Sequence, residues 1–241
     1  TVYGKDCFLV KENTNVLKKE GQCELAYAPQ STFKIALSLM GFDSGILESP
    51  TEPAFPFKAE YSAGINVCKG DHNAKTWMRD SCVWFSQVLT SRFGMEKFRD
   101  YVNKFNYGNK DVSGDPGKNN GLKQSWLNSS IRITPYEQIQ FIQSMIDKKL
   151  PVSDRAFEMT KKILFIQELA GGWNLFGKTG NGRYKEELQQ GWFVGWIEKD
   201  KRKLVFVYHI ADESKQSTYA SFRSRNEALT KLWYLIDELE K

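Results

Sequence analysis

Three runs in the last third of the chain limit its fold more than any other feature. "WNLFGKTG", "GWFVGWIE" and "KLVFVYHIA" are rich in β-branched and aromatic residues and are separated by turn residues. They read as three consecutive antiparallel strands. A shorter pair stands at the other end, where "CFLV" and "NVLKK" flank the turn-like "KENTN" and predict a hairpin. The end of the chain, "SFRSRNEALTKLWYLIDELEK", is an amphipathic helix with Leu229, Leu232, Trp233, Ile236 and Leu239 on its apolar side.

Between these ends the pattern is helical. "STFKIALSLM" is apolar nearly all round, which predicts a buried helix. Residues 41 to 75 are rich in Gly, Pro and Ser and read as irregular. "SCVWFSQVLTSRF" and "GMEKFRDYVNKF" follow as helices, with Met95, Phe98, Val102 and Phe105 at helical spacing in the second. "TPYEQIQFIQSMIDKK" has a cap at Thr134, Pro135 in the first turn and Glu137 completing a capping box. "SDRAFEMTKKILF" is a further helix. The expected fold class is therefore α/β (α+β), a single unit over residues 1–241. One antiparallel sheet is built from both chain ends and flanked by helices. Residues 1–40 and about 151–241 form the sheet lobe, and about 41–150 an inserted, mainly helical lobe. The cleft between them is where a ligand is expected.

The 241 residues suffice for a large core without staples. The net charge of +5 is scattered among short runs mixed with acids, such as "EKDKRKL", which are solvated faces and not a nucleic-acid surface. No apolar run approaches the roughly 18 residues of a membrane span, and "TVYGKDCFLV" lacks the pattern of a secretory leader. Cys7, Cys23, Cys68 and Cys82 include no C-x-x-C pair, so no zinc knuckle or other metal site is expected. Cys7 begins one strand of the hairpin and Cys23 lies past the other, which leaves a bridge between them open. The count alone fits an oxidising compartment or buried thiols.

The chemistry-bearing stretch is "APQSTFKIAL", residues 28 to 37. Residues three apart on a helix share a face, so the Ser31 hydroxyl lies beside the Lys34 amine. A serine is a poor nucleophile without an adjacent base. A lysine at its ordinary pKa is almost wholly protonated at neutral pH, but burial disfavours the charge. Phe33, Ile35 and Leu37 supply that environment. A neutral amine there is a base, or reacts with carbon dioxide to give a carbamate, which is also a base. Read alone, the tetrad favours the bland reading, with Ser31 as an N-cap and Lys34 snorkelling to solvent, so the chemical reading needs partners elsewhere in the chain.

Downstream, "FGKTGNG" sets Lys178, Thr179 and Gly180 in a strand beside a turn, a cation and a hydroxyl suited to a carboxylate. Ser81 in "DSCVW" stands at a helix start, and Tyr107, Gly108 and Asn109 in "FNYGNKD" mark a turn. The order S-x-x-K, S-x-V, Y-G-N, K-T-G resembles that of the penicillin-recognising serine enzymes. Within them the chain resembles the class D, oxacillinase-type β-lactamases from about Cys7 to the terminal helix. "QSWLNSSIRITPYEQIQF" and "GWFVGW" add to the likeness.

The resemblance implies the following roles. Ser31 is the acylated serine, and Lys34 is N-carboxylated and serves as general base. Carbon dioxide is thus taken up as a carbamate, with no separate cofactor. Ser81 relays a proton to the leaving ring nitrogen, Val83 packs against the carbamate, and the Trp126 indole N–H holds it. Tyr107, Lys178, Thr179, Gly180 and Asn181 meet a small-molecule β-lactam, with the N–H groups of Ser31 and Asn181 as oxyanion hole. Many members have an arginine after the last core strand for the substrate carboxylate. Here that position is Ser221, with Arg223 and Arg225 just beyond; either Ser221 with Thr179 binds the carboxylate by hydroxyls or Arg223 reaches in, and Ser221 is favoured. Residues 45 to 75 and 181 to 190 are expected to shape the choice of β-lactam. The resemblance also implies a periplasmic location with a removed leader.

Two rival readings come from the same likeness: a non-enzymatic β-lactam sensor domain of a membrane receptor, and a penicillin-binding transpeptidase. A Ser-His-Asp hydrolase is disfavoured, because the only histidines are His72, in a loop, and His209, a satisfied strand residue, and no G-x-S-x-G occurs.

Overall fold

A computed structural model describes residues 6–241. The predicted hairpin is β1 (Cys7–Glu12) and β2 (Asn15–Gly21). Helix α1 (Lys34–Asp43) follows a short 3-10 turn, Gln30–Phe33. The middle of the chain holds α2 (Ala74–Asp80), α3 (Val83–Lys104, broken at Gly94), α4 (Gly121–Gln124), α5 (Pro135–Ile146) and α6 (Asp154–Leu164). The chain then returns to the sheet through β3 (Phe165–Leu169), β4 (Trp173–Lys185), β5 (Leu188–Lys199) and β6 (Arg202–Ala211), and ends in α7 (Ala220–Leu239).

The six strands lie in the order β2-β1-β6-β5-β4-β3, every neighbouring pair antiparallel. The expectation of one antiparallel sheet made from both chain ends is borne out. Side chains alternate across it as strand geometry requires. Leu9, Val194, Val205 and Val207 face the core shared with α1, α3, α5 and α6, whereas Phe8, Phe193, Phe206 and Tyr208 face α7. The capping box of α5 is present, with the Thr134 side chain accepting from the Glu137 N–H and the Glu137 carboxylate accepting from the Thr134 N–H.

Several details depart from the sequence reading. The helix of "SDRAFEMTKKILF" stops at Leu164, and Phe165 opens a short strand that periodicity did not reveal. Trp233, expected on the apolar side of α7, is 54% exposed, and Ala228, Leu232, Leu235 and Ile236 make the buried face. Cys7–Cys23 is a disulfide, and so is Cys68–Cys82, a pairing the sequence did not suggest.

His209 is only half satisfied. It is buried between Tyr27 and Trp192, ring centroids 4.2 and 4.1 Å away, and Gln190 Oε1 accepts from its Nε2 at 3.3 Å. Its Nδ1 has no partner among the described residues. Burial pushes its pKa down to about 3. The unfolded chain, with histidine near 6.5, therefore binds the extra proton first, and stability falls as the pH drops below that value. The loss between pH 7 and 5 is roughly 2 kcal/mol. Burial of Asp6 raises its pKa to about 6, which acts in the opposite direction over an overlapping range. The comparison with His209→Gln in urea melts isolates the histidine. Wild type is expected to lose about 2 kcal/mol more than the variant on going to pH 5, and equal losses would exclude the assignment.

Candidate active site

The site begins where the sheet leaves an edge open. β3 pairs with β4 only over Trp173–Phe176, so from Gly177 onward that edge of β4 has no strand partner among the described residues. Lys178, Thr179, Gly180 and Asn181 occupy the open stretch. Gly180 faces the Pro29 backbone and the Gln30 and Thr32 side chains, where a Cβ would lie 3.0 Å from the Pro29 carbonyl oxygen. The strand therefore packs directly against the turn that carries Ser31.

That turn is held in an unusual conformation. Gln30 has φ +54°, a left-handed backbone that costs a non-glycine residue of the order of 1 kcal/mol. Its N–H donates to the Trp126 carbonyl at 3.0 Å, and its side chain bonds Asn128. Ser31 follows inside the 3-10 turn, where Pro29 and not Ser31 holds the N-cap position, so its hydroxyl is not engaged as a cap. The helix proper starts at Lys34. The Lys34 amine donates to Ser31 Oγ at 3.0 Å.

Lys34 is fully buried and has no carboxylate partner among the described residues. Desolvation drives its pKa well below the ordinary lysine range, and the nearby Lys178 charge lowers it further. Burial therefore favours the neutral amine over the ammonium. Lys178 is also buried and is pushed down to about 8, by desolvation and then by Arg225.

Trp126 closes the site from the helical side. Its ring stacks on Phe33 at 5.7 Å and meets Phe98 edge-on at 6.3 Å. Its indole N–H is buried and has no acceptor among the described residues. An orphaned buried donor costs about 1–3 kcal/mol, so it marks a place built to hold an acceptor.

The Y-G-N stretch has a different task from the one expected. Tyr107 is fully buried, packed on Phe33 at 5.1 Å and Phe141 at 4.9 Å, with its hydroxyl directed at Gln138. It is a core residue with no exposed surface in this structure. Gly108 has φ +52°, and a Cβ there would run into the Arg132 carbonyl. The Asn109 side chain donates to the Ser130 carbonyl and accepts from the Arg132 N–H. The motif ties its loop to the segment that carries Trp126.

Ser81 lies at the end of α2 and not at a helix start. It is the C-cap, in a left-handed conformation with φ +62°. Met78 and Arg79, one turn earlier, line the same cavity as Lys178 and Thr179. Cys82 anchors the following residue through its bridge to Cys68, and half-buried Val83 opens α3. The sulfurs of Cys68 and Cys82 lie close to His72, but the bridge between them leaves neither as a thiolate that could ligate a metal.

At the carboxylate position, Ser221 lies in the first turn of α7 and its N–H donates to Asn181 Oδ1 at 3.1 Å. Gly191 makes this approach possible, since a Cβ there would meet the Ala220 backbone. Arg223 is turned away, its guanidinium forked onto both oxygens of Asp212 at 2.8 and 2.6 Å. Arg225, named in the sequence only as lying beyond Ser221, lines the cavity with Lys178 and Thr179. Its spacing of four from Ser221 was the available signal, because such residues share a helix face.

The model of the penicillin-binding-protein transpeptidase domain matches residues 8–233. Among named proteins, β-lactamase OXA-9 of Klebsiella pneumoniae is 44% identical over 230 residues, covering 90% of this chain and 82% of that protein. β-Lactamase OXA-1 of Escherichia coli is 40% identical over 231 residues, with 93% and 82% covered. The solved structure of the class D β-lactamase OXA-427 superposes with a TM-score of 0.92 at 39% identity, over 97% of this chain and 99% of that one. At this identity and coverage, the chain belongs to the class D β-lactamases, the oxacillinase-type branch of the penicillin-recognising serine enzymes.

Proposed function

We propose that the protein opens the β-lactam ring of penicillin-type antibiotics through an acyl-enzyme on Ser31, with N-carboxylated Lys34 as general base, and so confers resistance. The observation that carries this is the dry, uncompensated Lys34 amine 3.0 Å from the Ser31 hydroxyl. Ser31 Oγ adds to the lactam carbonyl carbon as its proton leaves toward Lys34. The N–H groups of Ser31 and Asn181 receive the developing oxyanion. The ring C–N bond then breaks, and Ser81 passes a proton to the departing nitrogen. Thr179 and Ser221 hold the ring carboxylate, since Arg223 is committed to Asp212. Water then cleaves the ester, which frees Ser31 and the ring-opened acid.

The residues present fit a carbamate on Lys34. A neutral amine is the form that reacts with carbon dioxide, and the unpartnered Trp126 N–H supplies a donor. When bound, this group supplies an anionic oxygen base beside Ser31, for the serine proton and then for the hydrolytic water. The two disulfides support an oxidising, periplasmic location. No helix among the described residues is long and apolar enough to cross a membrane.

Turnover of a chromogenic cephalosporin tests the reading against its rivals. Sustained hydrolysis is expected, whereas a single stoichiometric burst indicates a sensor or a transpeptidase. After dialysis at low pH, added bicarbonate is expected to raise the rate several-fold. Indifference to bicarbonate would rule out the carbamate while leaving the serine chemistry standing.

A further inference from the structure

The cleft continues past Lys178 into a cavity of about 410 Å³ that shares Lys178 and Thr179 with the hydrolytic site and extends beyond them to Lys75, Lys162 and Phe165. Five cationic side chains line it, Lys75, Arg79, Lys162, Lys178 and Arg225, and no acidic residue does. Arg79 is already spent on Asp80, which it bonds at 2.7 and 2.8 Å. The other four have no carboxylate partner among the described residues. The remaining wall is apolar, with Met78, Ile163, Phe165 and Ile166. Phe165 is 49% exposed, although it is a large apolar side chain.

Uncompensated cations crowded around one concavity repel each other, and a low-dielectric wall enhances the effect. The depressed Lys178 agrees with this, since Arg225 contributes to its shift. An anion entering the cavity relieves the repulsion.

Strand direction tells which part of a substrate would enter. With the lactam carbonyl at Asn181 and the ring carboxylate at Thr179, the acylamino side chain runs toward the 182–185 end of β4. The substituent beside the ring carboxylate runs the other way, past Gly177, toward Phe165 and Lys162. We infer that this cavity is a second anion subsite, selecting cephalosporin-type β-lactams whose C3 substituent ends in a carboxylate or sulfonate. Lys75 and Lys162 are its specificity-determining residues, and the apolar wall takes the stem of the substituent. The inference rests on the β-lactamase reading of the same cleft.

The test uses two cephalosporins with the same acylamino side chain and C3 substituents of matched size, one neutral and one anionic. At low ionic strength the wild-type enzyme is expected to favour the anionic compound by about fivefold in kcat/KM, with the difference in KM and not kcat. In the Lys75→Gln/Lys162→Gln double variant the preference is expected to fall to near unity, with kcat/KM for the neutral compound unchanged. Both side chains are exposed, so the variant keeps its fold. Lys162→Glu is expected to turn the preference toward a cationic C3 substituent. Equal turnover of both compounds by wild type, or a preference that survives in the double variant, overturns the subsite and leaves the β-lactamase reading intact. Failure to hydrolyse either compound overturns both.

Discussion

Lys34→Ala is expected to lower kcat/KM for a chromogenic cephalosporin by about a thousandfold or more. A positioned general base contributes about 10²–10⁴-fold to a step, and the proposed mechanism uses Lys34 in two successive steps. Nothing else replaces it. Among the described residues the only side-chain partner of the Lys34 amine is Ser31, and both histidines lie elsewhere, His209 between Tyr27 and Trp192 and His72 against Asp80. The variant loses a buried stem but also loses a buried amine with no counter-ion, two effects of opposite sign. Lys34→Met, which keeps the volume, controls for packing. The measurement is the burst and steady-state rate, with intact-protein mass spectrometry reporting acylation of Ser31. Rapid acylation in both variants would remove Lys34 from the first half of the reaction.

Trp126→Phe is expected to slow deacylation about 10–100-fold, as loss of a supporting donor commonly does, while acylation stays near normal. The substitution keeps a ring against Phe33 and removes the one indole N–H among the described residues that is buried without an acceptor. Acyl-enzyme then accumulates and is visible by mass. Trp126→Ala is expected to show the same accumulation at a larger stability cost, about 3–5 kcal/mol for emptying an aromatic site. Thermal melts separate that cost from the kinetic effect. Normal deacylation in the phenylalanine variant would take the indole out of the mechanism.

The architecture was readable before any coordinates because its signals are local. β-Branched and aromatic runs broken by turn residues gave β4, β5 and β6, and the Thr134–Glu137 box marked the start of α5. β3 escaped because "FIQEL" is short, half exposed and continuous with a helix, so no period of two stands out. The Cys68–Cys82 bridge escaped because spacing does not reveal which thiols meet across an irregular loop.

The candidate site divides in the same way. The Ser31–Lys34 contact follows from three-residue spacing, and the sequence alone was enough for it. Whether the amine is dry was not, because dryness depends on Trp126, Tyr107 and β4, which come from distant parts of the chain. Likewise, Arg223 and Arg225 sit two apart on one helix, about 200° around its axis, so they face opposite ways. Only the packing of Ala220 on Gly191 decides that Arg225 faces the cavity and Arg223 faces Asp212. Local sequence determined the strands, the helix starts and the serine–lysine pair, because each depends on neighbours within a few residues. Tertiary packing alone decided which side chains meet in the cleft and which lose their water, because facing and burial are properties of the whole assembly.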